Sequence, residues 1–152
     1  MSTKPSHMFL APMAVLVMAL AFTVVSNASA QADVQIRGFQ TPSKNINCTY
    51  YEYDEEPAVL GCEIRGYTGI TPKRPKDCEF DWNALPEIRE KGKATLFACV
   101  SDTRWWLDAP VVKYGSTWKY GPFRCSVATT GVTCTNLSGR GFTLRRSSVK
   151  AI

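Results

Sequence analysis

Three acidic side chains occupy alternate positions in Asp77-Cys78-Glu79-Phe80-Asp81-Trp82. In an extended chain Asp77, Glu79 and Asp81 share one face, with neighbours roughly 7 Å apart. Carboxylates at that spacing could work as the acid and base of a glycan hydrolase or contribute to a Ca²⁺ site. The plainer reading is a polar edge facing solvent, opposite an inward Cys78, Phe80 and Trp82. It is preferred because one strand offers too few oxygens for a cation and nothing nearby would raise a carboxyl pKa. Asp54-Glu55-Glu56 reads as an acidic turn.

The second half is rich in aromatics: Trp105, Trp106, Tyr114, Trp118, Tyr120 and Phe123, interleaved with Arg104, Lys113, Lys119 and Arg124. Aromatic faces beside cations suit sugar rings, anionic glycans or protein hot spots. Two adjacent residues of an extended chain cannot both point inward, so at least one of Trp105 and Trp106 is expected near the surface. The competing use is core packing, the ordinary work of large aromatics in a small β domain. The candidate ligand-binding residues are therefore Trp105, Trp106, Trp118, Tyr120 and Arg124. Single-stranded nucleic acid would use similar features, but export, argued below, makes it an unsuitable partner.

One absence narrows the chemistry further. The only histidine is His7, in the amino-terminal leader. Without it there is no imidazole for acid–base work near neutral pH, no Ser-His or Cys-His pair and no His metal ligand. No CxxC spacing suggests zinc, so neither a metal nor a cofactor is expected.

The leader has a secretory layout. Lys4 gives a positive start, Met8 to Val25 is apolar, and Ala28-Ser29-Ala30 supplies the small residues of a cleavage site. The alternative is an uncleaved anchor, since the apolar run approaches the length of a short spanning helix. Pro12 and the small-residue site favour cleavage, which would leave 1–30 as a signal peptide and 31–152 as a single domain. No Cys near Ala30 suggests a lipid anchor, and nothing later in the chain could span a bilayer. Loss of Lys4 leaves 17 basic against 13 acidic residues, a net charge of about +4. That is mild and scattered, an ordinary solvated surface with some attraction to anionic polymers.

Six cysteines in a small exported domain read as a disulfide framework. The segment Phe123 to Asn136 folds as a hairpin about Ala128-Thr129-Thr130-Gly131, so that residues whose numbers sum to 259 oppose each other. Cys125 then faces Cys134, and Val127 faces Val132 on the same side. Centring a second hairpin on Glu55 places Cys48 opposite Cys62, flanked by Ile46 with Ile64 and Tyr50 with Leu60. A one-residue slip would expose that entire apolar set. Cys78 and Cys99 pair by elimination. Each bond is expected to contribute about 2–4 kcal/mol by restricting the unfolded chain.

Strand patterns dominate: Val34 to Phe39, the Glu55 hairpin, Asp77 to Trp82, Ala94 to Val100, Pro110 to Tyr114, Thr117 to Val127, Gly131 to Asn136 and Gly141 to Arg145. Pro72 to Lys76 is a loop. Asn83 to Lys91 predicts one short helix, with Leu85 and Ile88 on one face and Gly92 as its stop. The fold class is mainly β: a small antiparallel meander, sandwich or open barrel with disulfide-stapled hairpins. The two Cys hairpins share a plan (strand, Cys, turn, Cys, strand) without enough identity for a functional repeat. Gly139-Arg140-Gly141-Phe142 reads as a tight turn or bulge.

Phe39-Gln-Thr-Pro-Ser-Lys-Asn-Ile-Asn-Cys48, Asp77-Cys78 through Asp81-Trp82 with Cys99-Val-Ser-Asp-Thr103, and Tyr114-Gly, Gly121-Pro-Phe-Arg-Cys125, Gly131-Val-Thr-Cys134-Thr-Asn136 and Gly139-Arg-Gly-Phe142 together resemble a group of small exported, mainly actinobacterial proteins known only as a domain of unknown function. The resemblance spans nearly all of the chain after the leader. It implies export and disulfides but no activity. This chain departs from it at Lys44, where Gly is more usual, and at Arg140, where His is frequent. A bacterial origin also removes interest from the glycosylation patterns at Asn47 and Asn136.

The function expected is that of a secreted or envelope-located, non-catalytic binding module, not an enzyme, working as a monomer. Its partner would be an extracellular or envelope protein or glycan; an inhibitor or ligand of a cell-wall enzyme is one specific form. The alternative is a His-independent glycan hydrolase, for which two of Asp77, Asp81, Asp102 and Asp108 would have to converge roughly 5–10 Å apart in a cleft. A purely structural exported protein is the third possibility, and it would show a surface poor in aromatics.

Overall fold

The computed structural model describes Met1, residues 37–52 and residues 56–152; the leader and the tip of the Glu55 hairpin lie outside the described residues. Among the described residues ten strands follow one another: β1 (Arg37–Gln40), β2 (Ile46–Tyr51), β3 (Val59–Ile64), β4 (Asp81–Arg89), β5 (Thr95–Val100), β6 (Thr117–Tyr120), β7 (Phe123–Ala128), β8 (Gly131–Thr135), β9 (Gly141–Arg145) and β10 (Ser148–Ala151). They form two five-stranded antiparallel sheets, β1-β2-β3-β4-β5 and β10-β9-β8-β7-β6, each a meander in chain order. No helix and no closed barrel occur among the described residues.

The sheets bury their inner faces against each other. β7 shows why: Phe123, Cys125 and Val127 are buried while Arg124, Ser126 and Ala128 are exposed, a strict two-residue alternation. The core joins Phe39, Ile46, Tyr50, Leu60 and Ile88 of the first sheet to Phe123, Val127, Val132, Phe142 and Leu144 of the second. Strands stack on their counterparts: Phe39 of β1 meets Trp118 of β6, Tyr50 of β2 meets Phe123 of β7, and β4 and β5 lie against β9 and β10.

The disulfides are Cys48–Cys62, Cys78–Cys99 and Cys125–Cys134. The registers that bring the first and last together are those read from the hydrophobic pattern, with Ile46 opposite Ile64, Tyr50 opposite Leu60 and Val127 opposite Val132. Cys48–Cys62 staples β2 to β3 and Cys125–Cys134 staples β7 to β8. The Sγ atoms of Cys48, Cys62 and Cys134 lie within 4.8 Å of one another, so the two bonds meet at the centre of the sandwich.

Several sequence expectations are corrected. Asn83 to Lys91 is not a helix but most of β4. An extra residue between Ala84 and Glu87 bulges the strand and breaks its alternation, so Leu85 and Ile88 imitate a helical spacing. Buried Pro86 sits in the bulge, where its missing N–H costs no ladder bond. Asp77 to Phe80 is a turn and not a strand: the Cys78 N–H bonds the Pro75 carbonyl, and Phe80 is exposed, not inward. Thr117 to Val127 is two strands joined by Gly121-Pro122, with Gly121 in the left-handed region at φ 50°. Pro110 to Tyr114 contributes only a parallel bridge from Val111 to Gln40, and β10 has no counterpart among the strands expected from sequence.

Candidate functional site

β2 is buried on both faces. Ile46, Cys48 and Tyr50 enter the core, yet Asn47 and Thr49 on the opposite face are also covered, with exposures of 1% and 3%. The cover is the connection between the sheets. After β5 the chain crosses the outer face of the first sheet as a strap, Thr103 to Ala109, and reaches the β1 edge before starting β6. Nothing in this strap pairs as a strand, so its backbone polar groups must find side-chain partners.

Those partners come from β1, β2 and β3. The Asn47 side chain acts as a second peptide group: its Nδ2 donates to the Trp106 carbonyl (2.8 Å) and its Oδ1 accepts the Trp106 N–H (3.3 Å). Thr49 Oγ1 donates to the Arg104 carbonyl (3.1 Å), and Gln40 Nε2 donates to the Ala109 carbonyl (2.6 Å). Glu63 receives the Thr103 hydroxyl (3.0 Å) and the Arg104 N–H (3.1 Å). Arg104 Nη1 pairs with Glu87 Oε2 of β4. The Arg65 guanidinium stacks 4.1 Å from the centre of the Trp105 ring, and that of Arg104 lies 5.6 Å from the Tyr51 ring.

Between the strap and the sheet lies a groove of about 530 Å³, whose walls include Tyr51, Val59, Glu87, Arg104, Trp105 and Trp106. Its size falls in the range of small-ligand sites. The walls are aromatic, and the floor carries one ion pair, the combination that holds a ring by its face and hydroxyl groups by their edges. Among the described residues Glu87 is the only carboxylate in this lining, and it is engaged by Arg104.

The structure thus brings Trp105 and Trp106 together with residues that sequence reasoning missed: Tyr51, Glu87, and the supporting Gln40, Asn47, Thr49 and Glu63. The available signal was the polar alternation within Ile46-Asn47-Cys48-Thr49-Tyr50, which the apolar register had relegated to solvent. Trp118 and Tyr120 do not join the groove. They are half-buried in β6, where Trp118 packs 5.2 Å from Phe39 and Tyr120 packs 4.8 Å from Tyr50. Arg124 is exposed on the outward side of β7. Asp77, Asp81, Asp102 and Asp108 are all exposed, and none lines the groove.

On the core side of the same strand, buried Tyr50 donates its hydroxyl to Glu52 (2.8 Å). Its pKa is raised well above the ordinary phenol value, first by burial, which disfavours the phenolate, and then by the bond to Glu52.

These features define a disulfide-stapled, two-sheet β domain with an aromatic groove beneath an inter-sheet strap. Residues 14–151 match a family described as a family of unknown function, DUF6636, and the chain belongs to that family. Neither the curated proteins nor the solved structures contain a match. No helix among the described residues is long and apolar enough to cross a membrane.

Proposed function

We propose that the protein is an exported, non-catalytic binding module that holds a glycan in the strap groove. The observation that carries this reading is the convergence of Trp105, Trp106 and Tyr51 around the Arg104–Glu87 pair. Sugar rings present an apolar face to an aromatic side chain and hydroxyl edges to charged acceptors and donors, and the groove supplies both. Three disulfides support a life outside the reducing cytoplasm. The non-catalytic reading is supported by the state of Glu87: a carboxylate held by Arg104, with no second one among the described residues of the lining, lacks the pair that glycoside hydrolysis uses. Attachment to an envelope glycan, or competition with an enzyme acting on it, follows from the same site.

The test is a titration of the oxidised protein with soluble envelope oligosaccharides, read by tryptophan fluorescence. Trp105→Ala and Trp106→Ala should each weaken binding at least about tenfold, the loss expected for removing a stacked aromatic, and Glu87→Gln should also weaken it. Trp118→Phe should leave affinity unchanged. Binding that survives all three groove variants, or release of reducing sugar ends by the wild type, would defeat the proposal.

A further inference from the structure

A second cavity, of about 400 Å³, opens at the end of the sandwich where the two sheets part, and it shares no lining residue with the groove. Thr41 and Ser43 come from the β1–β2 turn, Thr129 and Thr130 from the β7–β8 turn, Tyr114 from the approach to β6, and Arg146 from the β9–β10 turn. Four separate connections thus deliver five hydroxyl groups and one guanidinium to a single space. Among the described residues no carboxylate lines it, and Arg146 has no carboxylate partner.

The β1–β2 turn holds a further cation under conformational strain. Lys44 lies between Ser43 and the lining residue Asn45 and has φ 53°, the only non-glycine residue with positive φ among those described. Its N–H closes the turn onto the Thr41 carbonyl at 2.8 Å. A lysine there is disfavoured relative to glycine, which would adopt the same backbone without steric cost. Hydroxyl donors, an unpaired guanidinium and Lys44 in the adjoining turn form the complement of an oxyanion; a lining without a carboxylate among the described residues keeps it from being repelled.

We infer that this end cavity is an anion site that takes a sugar phosphate, with Arg146 holding the phosphate and the hydroxyls of Ser43, Tyr114, Thr129 and Thr130 holding its oxygens and the sugar, while the Thr41 hydroxyl is engaged by Ile46 and Ser43 within its own turn. The volume accommodates one phosphorylated sugar unit with bound water. The site neither requires the glycan groove nor depends on what fills it.

The experiment titrates glucose 1-phosphate, inorganic phosphate and glucose separately into the oxidised, isotope-labelled protein and follows amide shifts. Glucose 1-phosphate should bind at millimolar concentration or below and move the amides of Ser43, Asn45, Thr129, Thr130, Gly131 and Arg146. Arg146→Gln should weaken it at least about tenfold, the scale of one charge-assisted bond, while Trp105→Ala should not change it. Lys44→Gly should weaken it several-fold and yet raise the thermal midpoint, because relief of the backbone accompanies loss of the charge. Equal binding of inorganic phosphate with the same Arg146 dependence would support the anion site and place recognition on the phosphate alone. Binding of glucose as tight as its phosphate, an unchanged Arg146→Gln response, or no shifts at this end with any probe would overturn the assignment.

Discussion

Asn47 offers the sharpest test of how the strap is held. Its side chain is 1% exposed and forms two hydrogen bonds with the Trp106 peptide unit, from Nδ2 to the carbonyl and from the N–H to Oδ1. Asn47→Ala removes both and leaves the covered Trp106 N–H without a partner, while the Trp106 carbonyl keeps only the Ala109 N–H at 3.2 Å. A neutral hydrogen bond contributes about 1 kcal/mol net, and an orphaned buried polar group costs about 1–3 kcal/mol. If the strap stayed seated, the loss would be about 2–4 kcal/mol, on the order of 10 °C in thermal midpoint for a domain of this size. A strap that lifts to let water reach Trp106 caps the cost at its own docking free energy, so local opening should precede global unfolding. Urea denaturation of the oxidised protein measures the first quantity, and amide exchange at Trp106 and Ala109 measures the second. Asn47→Asp separates hydrogen bonding from packing: it preserves volume and the acceptor for the Trp106 N–H but turns a carboxylate toward the Trp106 carbonyl. It should therefore destabilise at least as much as Asn47→Ala. A near-neutral Asn47→Asp, or unchanged exchange at Trp106 in either variant, would refute the account of Asn47 as the strap's clamp.

Three further outcomes follow from the geometry. Tyr50 has a folded-state pKa above its unfolded value, so the stability it confers is complete below about pH 10 and is lost as pH rises beyond it, with a slope approaching about 1.4 kcal/mol per pH unit; Tyr50→Phe should flatten that alkaline limb in denaturation curves recorded across pH. Cys99 is exposed, whereas Cys48, Cys62, Cys125 and Cys134 have exposures of 0–1%, so graded reductant followed by alkylation and mass mapping should label Cys78 and Cys99 before any other cysteine. A Cβ added at Gly141 would lie 1.8 Å from the Cys134 carbonyl oxygen in the neighbouring strand β8; Gly141→Ala should thus force the β8–β9 backbones apart and cost upwards of about 2 kcal/mol in chemical denaturation.

Much of the framework was legible in the residues themselves. The alternation around Cys48, Cys62, Cys125 and Cys134 specified which residues oppose one another, because a hairpin joins neighbours in sequence and a slip of one position would turn every apolar side chain outward. With those two pairs set, Cys78 and Cys99 had only each other. The β4 bulge defeated the same logic: one inserted residue shifts the phase of the alternation, and Leu85 and Ile88 then carry a helical spacing inside a strand.

The candidate site lay beyond that local reasoning. Asn47 and Trp106 are 59 residues apart, Thr49 and Arg104 55, and Gln40 and Ala109 69. Only the path of the chain from β5 back to the β1 edge lays the strap over the outer face, covering polar side chains that a one-sided strand would give to water. The same path separates the aromatics, sending Trp105 and Trp106 to the groove and Trp118 and Tyr120 to the core margin. Composition determined that this would be a disulfide-stapled β domain with aromatics to spare. Which of them face a ligand was decided by the packing of two sheets, since burial depends on what crosses above a residue and not on the residues beside it in the chain.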